Sequence, residues 1–329
     1  MDDRTSVAVI GLGIMGRRML EALSSHDKFY ASHIWDPNAD AVAKARQIAP
    51  DAVVPDMAEL AIESAEVTYL ACPPDPRRLY AMMAADCGKP VFLEKPLGIN
   101  LTASRAMVTH LEKAQVPAAV NFVQATGEPL AVVHAALQSG EMGELIGIDI
   151  EVSYAQWPRI WQQEADWLRF KAEGGMTREV ISHFVFFAER LLGPTILKWA
   201  HPTYPNEYLC ETNMAAHLTN KDQLPLNVFA NVGGAQPDKQ RVFIKGSKKS
   251  FKVEQFSELW VSEGDAFASK HASKFTLPPS DGADFDRLFE STAKDDAPLD
   301  GVIYLWGRGA QTADDGSSPS PPSLRALPA

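Results

Sequence analysis

Apolar residues fall along this chain in two alternating textures. Val7-Ala8-Val9-Ile10 is a short apolar run of the kind a fully buried strand shows, and Arg17 to Ser25 places Met19, Leu20 and Leu23 at helical spacing. The same alternation continues to about residue 120. Ala31–Trp35, Val67–Ala71, Val91–Glu94 and Ala118–Val123 read as strands. Ala39–Ala49, Met57–Ser64, Pro76–Cys87 and Thr102–Ala114 read as the helices between them. Strands and helices in strict alternation predict a doubly wound parallel sheet, with ligands at the carboxyl ends of its strands. After Val123 the pattern changes. Pro129–Ser139 reads as a helix, and residues 143–152 alternate apolar and polar positions as a half-buried antiparallel strand does. A helix over Thr177–Leu192 and strands at Ile196–Ala200, Leu226–Val232, Arg241–Lys245 and Ser250–Phe256 follow. The expected organisation is α/β. A domain over 1–122 carries the parallel sheet, a domain over 123–300 is α+β on an open antiparallel sheet, and a tail covers 301–329. That tail is rich in Gly, Ser, Pro and Ala, a composition that cannot bury enough surface to fold, so disorder is expected there.

The strand at Val7 runs into Gly11-Leu12-Gly13-Ile14-Met15-Gly16, and the next strand ends in Asp36. Gly11 allows a sharp turn, Gly13 lets a pyrophosphate approach the backbone, and Gly16 permits close helix–strand packing. Free N–H groups and the helix dipole favour an anion here, with Ile14 and Met15 in the binding turn. The carboxylate of Asp36 stands where it can accept from an adenosine ribose diol. It is followed by Pro37 and Asn38 rather than Arg and would repel a 2′-phosphate. NAD is therefore the expected cofactor, with NADP a possibility should a basic residue reach the site from elsewhere.

Composition narrows the classes. The 329 residues suffice for two domains, and the 46% hydrophobic and 22% charged content suit a globular protein. A net charge of −11 argues against nucleic-acid or anionic-membrane partners. The three cysteines, Cys72, Cys87 and Cys210, form no C-x-x-C pair, which argues against a disulfide framework or zinc site. The acidic start lacks the basic and apolar regions of a secretory signal, and no apolar run approaches a membrane span. These features point to a cytoplasmic protein that takes a small-molecule substrate and needs no metal.

Three groups carry candidate chemistry. Lys95 follows a buried strand inside Glu94-Lys95-Pro96. A lysine at that sheet edge can donate to the nicotinamide ribose and polarise a carbonyl or stabilise an alkoxide, with Glu94 placed to orient it. A surface lysine after a strand is the plainer alternative. His183 lies four residues after Glu179 on the expected helix, so the two share a face. The imidazole can take or return a hydroxyl proton, and an ordinary helical Glu–His pair is the alternative. Trp157, Trp161 and Trp167 suit the wall of an apolar pocket or a stack on a sugar face, although such a cluster more often forms a domain core or a subunit interface. Cys72-Pro73-Pro74, just past the third strand, is a further candidate cofactor-binding segment.

Together these residues resemble the family of glucose–fructose oxidoreductase, inositol dehydrogenase and rhizopine-catabolism proteins. The likeness runs from about Val7 to about Phe256. It rests on the glycine motif, on Ala71-Cys72-Pro73-Pro74, on Gly88-Lys89-Pro90-Val91-x-x-Glu94-Lys95-Pro96-Leu97, and on Gly174-Gly175 followed by His183. It implies a Rossmann domain plus an open-faced α+β domain, NAD or NADP, Lys95 and His183 as catalytic residues with Glu179 beside them, and a homo-dimer or homo-tetramer built through the second-domain sheet. The implied reaction passes hydride between nicotinamide and a carbinol or carbonyl carbon such as that of a sugar or cyclitol. An imine reductase of the same family, and a non-catalytic dinucleotide-binding member acting through a protein partner, are the alternatives. Three features depart from the family pattern. Glu179 stands where Asp is usual, Asn121-Phe122-Val123-Gln124-Ala125 lacks the Arg of sugar-acting members, and residues 301–329 do not read as the closing helix most members carry. A replaced C-terminus, through a frameshift or a fusion, would account for the last.

Overall fold

The computed structural model describes residues 3–263, 275–276 and 323–326. The chain separates into two compact units. The described part of the first is 3–122 together with 160–175, and the second takes up 123–159 and resumes at Met176.

The first unit is a five-stranded, all-parallel sheet in the order β2-β1-β3-β4-β5, formed by β1 (Thr5–Ile10), β2 (Phe29–Trp35), β3 (Val67–Leu70), β4 (Val91–Glu94) and β5 (Ala118–Asn121). Helices α1 (Ile14–Ser24) and α2 (Ala39–Ile48) pack on one face, and α3 (Ala58–Ser64), α4 (Pro74–Asp86) and α5 (Leu101–Ala114) on the other. The apolar run of β1 follows from this. Val7 and Val9 enter the core under α1 and α2, while Ala8 and Ile10 enter the core under α3 to α5, so both faces need apolar side chains. Two helices begin two or more residues earlier than their periodicity predicts. The first starts at Ile14, inside the glycine motif, and α4 starts at Pro74, whose missing N–H costs nothing at a first helical position.

The second unit carries α6 (Glu128–Gln138) and α7 (Ser182–Leu192). Its strands are β6 (Leu145–Tyr154), β7 (Thr195–Thr203), β8 (Asn213–Asn220), β9 (Pro225–Val232), β10 (Lys239–Gly246), β11 (Lys249–Glu254), β12 (Glu258–Glu263), β13 (Phe275–Thr276) and β14 (Ser323–Ala326). Their order is β13-β14-β12-β11-β10-β6-β9-β8-β7. Pairing is mostly antiparallel, as expected. At the centre, however, β6 and β9 run parallel, joined through the long crossover that parallel pairing requires. One face packs Ile148, Ile150, Val228, Val242 and Val253 against Val180, Phe184 and Phe187. On the other face, Asp149, Glu151, Arg241, Lys245 and Glu254 form cross-strand ion pairs. Toward β7, that patterning gives way to exposed Trp199 and Phe229. Of the expected tail, 323–326 form β14 beside β12, and the rest of 301–329 lies outside the described residues.

Candidate functional site

The strand order reverses between β1 and β3, the kind of switch point where doubly wound sheets hold their ligands. Gly11, with φ +93°, turns the chain off β1. A Cβ there would stand 2.4 Å from the Cys72 nitrogen, so the loops after β1 and β3 touch at this point. A Cβ on Gly16 would lie 1.9 Å from the Gly11 carbonyl oxygen, so Gly16 is needed for the loop to close on itself as much as for helix–strand packing. Gly13 differs from both, since nothing lies within 4 Å of the Cβ it lacks and the residue is exposed. It caps α1 without any side-chain hydrogen bond, and the first turn holds no acidic residue. Helices α2 and α5, by contrast, are capped by Asn38 and Asn100. An open glycine before an uncapped helix start fits a dinucleotide pyrophosphate: backbone can approach it, and the N–H groups remain to bind it. Ile14 and Met15 are the first two helical residues, both half-buried.

Asp36, at the end of β2, ties this loop down. Its Oδ2 accepts from the Leu12 N–H at 2.7 Å and its Oδ1 from the Asn38 N–H at 2.8 Å. A carboxylate has about four lone-pair sites, so capacity remains for a ribose diol at the same edge.

Glu94 is 3% exposed at the end of β4. Its Oε1 accepts from the Tyr69 hydroxyl and from the Asn121 amide, both at 2.6 Å. Burial first, then the Glu94 charge and hydrogen bond, push the Tyr69 phenol well above its usual range, so it remains a donor. Arg77 of α4, 2% exposed, gathers the strand ends from below. It donates to the carbonyls of Glu94 at 2.5 Å, of Cys72 at 2.6 Å, and of Pro96. A planar guanidinium with five donors suits this task, which a lysine could not perform. Lys95 therefore projects, half-buried, from a segment fixed on both sides, and its bond to Pro96 is cis. Cys72 is buried, and burial raises its thiol to about 11. Its carbonyl binds Arg77, Pro73 is exposed, and Pro74 is buried as the first residue of α4.

In the second unit, Glu179 and His183 are 6% and 7% exposed. The turn Thr177–Ile181 is π-helical, where the periodicity predicted α, and it leads directly into α7. Such turns are frequent at functional sites. Its first N–H, from Thr177, donates at 2.6 Å to the buried carboxylate of Glu211 in the segment between β7 and β8. The three tryptophans do not fall in one unit. Trp157 packs against the core of the second, while Trp161 and Trp167 belong to the first. Among the described residues, no three His, Cys, Asp or Glu side chains converge as a metal would need.

Sequence reasoning missed Tyr69, Arg77 and Glu211. Tyr69 is one residue of an apolar strand, and Glu211 precedes a strand it does not belong to. Arg77 alone left a trace, as a cation on the helix face otherwise lined by Ala81, Ala84 and Ala85.

Residues 5–122 match the model of the glucose–fructose oxidoreductase, inositol dehydrogenase and rhizopine-catabolism family, described as an oxidoreductase family with an NAD-binding Rossmann fold. No curated protein matches the chain. Solved structures share its fold at low identity. An Agrobacterium radiobacter oxidoreductase in complex with NAD+, L-tartaric acid and magnesium is 19% identical, with 80% of this chain and 78% of that one covered and a TM-score of 0.69. The WlbA dehydrogenase of Bordetella pertussis, in complex with NADH and UDP-GlcNAcA, is 20% identical over 77% of this chain and 80% of that one, also at 0.69. Scyllo-inositol dehydrogenase of Lactobacillus casei, with NAD(H) and scyllo-inositol, is 14% identical over 78% and 77%, at 0.67. The parallel-sheet domain of this chain, residues 5–122, is thus the part that matches the NAD-binding Rossmann fold of that oxidoreductase family.

Proposed function

We propose that the protein is an NAD-dependent dehydrogenase acting on a carbinol or carbonyl carbon of a polyhydroxylated small molecule such as a sugar, sugar acid or cyclitol. The observation that carries this is the fastening of Lys95. Glu94 is held by Tyr69 and Asn121, and the carbonyls of Glu94 and Pro96 are held by Arg77, so the ammonium group stands on rigid backbone at the carboxyl edge of the cofactor sheet. A preorganised cation stabilises developing alkoxide charge without reorganising at the moment of reaction. NAD, when bound, supplies the hydride acceptor at its nicotinamide ring. In the oxidation direction the hydroxyl proton passes to His183, whose buried position in the second unit, beside a π-helical turn, suits a proton-transfer group. Glu179, buried one turn earlier, is the group proposed to steady it or to bind a substrate hydroxyl. The ligands of the three similar structures, tartaric acid, UDP-GlcNAcA and scyllo-inositol, support a hydroxylated substrate class.

The test is Lys95→Met, assayed with a panel of polyols, sugar acids and cyclitols. Turnover should fall by about a thousandfold while NADH binding, followed by nicotinamide fluorescence, stays within a few-fold of the parent. Full turnover in the variant overturns the role of Lys95. Binding of NADH with no turnover of any panel member by the parent protein favours a dinucleotide-binding, non-catalytic role.

A further inference from the structure

Residues 160–175 return to the first unit from within second-unit sequence. They bring Glu164 against two helices at once. Its Oε2 lies 2.8 Å from Arg17 Nη2 on α1, and its Oε1 lies 3.3 Å from Lys44 Nζ on α2. Three residues earlier, Trp161 lies under the Arg18 guanidinium, 4.5 Å from ring centre to cation. Arg17 also faces the glycine loop. Its Nη1 donates to the Leu12 carbonyl at 3.0 Å, and the Leu12 N–H is the one that Asp36 accepts. Asn38, two residues after Asp36, caps α2, the helix that carries Lys44. Asp36 and Arg17 thus bind the same residue, Leu12, Lys44 rides on the helix that follows Asp36, and Glu164 pairs with both cations.

We infer that Glu164 is a cofactor-specificity residue: by occupying Arg17 and Lys44 it withholds both cations from a 2′-phosphate and favours NAD over NADP. The inference rests on the NAD-binding reading of the glycine loop. A phosphomonoester brings nearly two negative charges at neutral pH. An Arg–Lys pair beside the ribose-reading carboxylate is the arrangement that would attract it, and Glu164 cancels that field with a carboxylate of its own. The hydrogen bonds from Arg17 and then Lys44 keep the Glu164 carboxyl below its usual range, so it stays charged at neutral pH. Glu164 and Lys44 are more than half exposed, and exposed ion pairs contribute little to folding. The carboxylate can therefore be replaced with the fold intact.

The test is titration of the full chain, of Glu164→Gln, and of Glu164→Gln combined with Lys44→Met, with NADH and with NADPH. In Glu164→Gln the ratio of the NADPH to the NADH dissociation constant should fall about three- to tenfold, chiefly through tighter NADPH binding, and the effect should shrink in high salt. Adding Lys44→Met should return the ratio toward the parent value. An equal change for both coenzymes, or no change, overturns the inference. A parent protein that binds no NADH overturns the cofactor reading beneath it, and that result precedes any variant.

Discussion

Tyr69 on β3 and Glu94 on β4 share a 2.6 Å hydrogen bond within the buried layer of the parallel sheet. The bond joins a phenol that burial keeps protonated to a carboxylate that is 3% exposed, one residue before the lysine proposed for catalysis. Tyr69→Phe removes the donor and leaves a buried charge with one partner fewer. It should cost about 1–3 kcal/mol of stability in urea unfolding. It should also slow turnover more than it weakens NADH binding, because what it loosens is the mount of Lys95.

Gly13 and Gly16 should respond oppositely to the same methyl group. Gly13→Ala meets open space and should fold with a loss of about 1 kcal/mol or less at its capping position. It should nevertheless bind NADH at least tenfold more weakly, because the methyl group occupies the approach of the pyrophosphate. Gly16→Ala collides with the Gly11 carbonyl and should lower the melting temperature outright. Calorimetry beside a fluorescence titration separates the two.

Cysteine alkylation should divide the thiols by burial. Cys87 is exposed, whereas Cys72 and Cys210 are buried. Burial lifts both from a thiol's ordinary 9.0 to about 11, with the Glu211 charge adding to the effect at Cys210. At pH 8 one cysteine should react within minutes and two only on unfolding, as mass spectrometry would count. A raised folded value means the unfolded chain sheds these protons first. Their contribution to stability is therefore complete below pH 9 and declines as pH rises toward 11. A urea midpoint that falls across that window, and falls less in a Cys72→Ser, Cys210→Ser variant, is the expected outcome.

The outer face of the second sheet should govern assembly. Trp199 and Phe229 are 47% and 59% exposed, on a sheet whose ion pairs of the outer face join β6 and β10. We propose that a second copy of the chain covers them. Light scattering should give a dimer or tetramer for the parent and a smaller species for Phe229→Glu or Trp199→Glu. An unchanged mass in both variants rules this face out.

Much of the first unit was legible because its signals are local. The glycine motif, the apolar strands and Glu94-Lys95-Pro96 each announce themselves within ten residues. The second unit was harder. Strand β8, Asn213-Met214-Ala215-Ala216-His217-Leu218-Thr219-Asn220, shows neither alternation nor strong β-formers and is held by its neighbours β7 and β9. Strand β7 runs past the expected Ala200 to Thr203 and takes in Pro202, a residue that sheets accommodate on an outermost strand such as this one. Arg77, Tyr69 and Glu211 act through partners 5 to 34 residues away, and no window of sequence places those partners beside them.

The path of residues 160–175 has a consequence for any attempt to recombine this protein with its relatives. A crossover at position 122, the obvious seam, would move Glu164 and Trp161 with the second half while leaving Arg17, Arg18 and Lys44 behind. Coenzyme choice would then be inherited from both parents of the chimera, and only grafts that carry 3–122 and 160–175 together would transfer it whole.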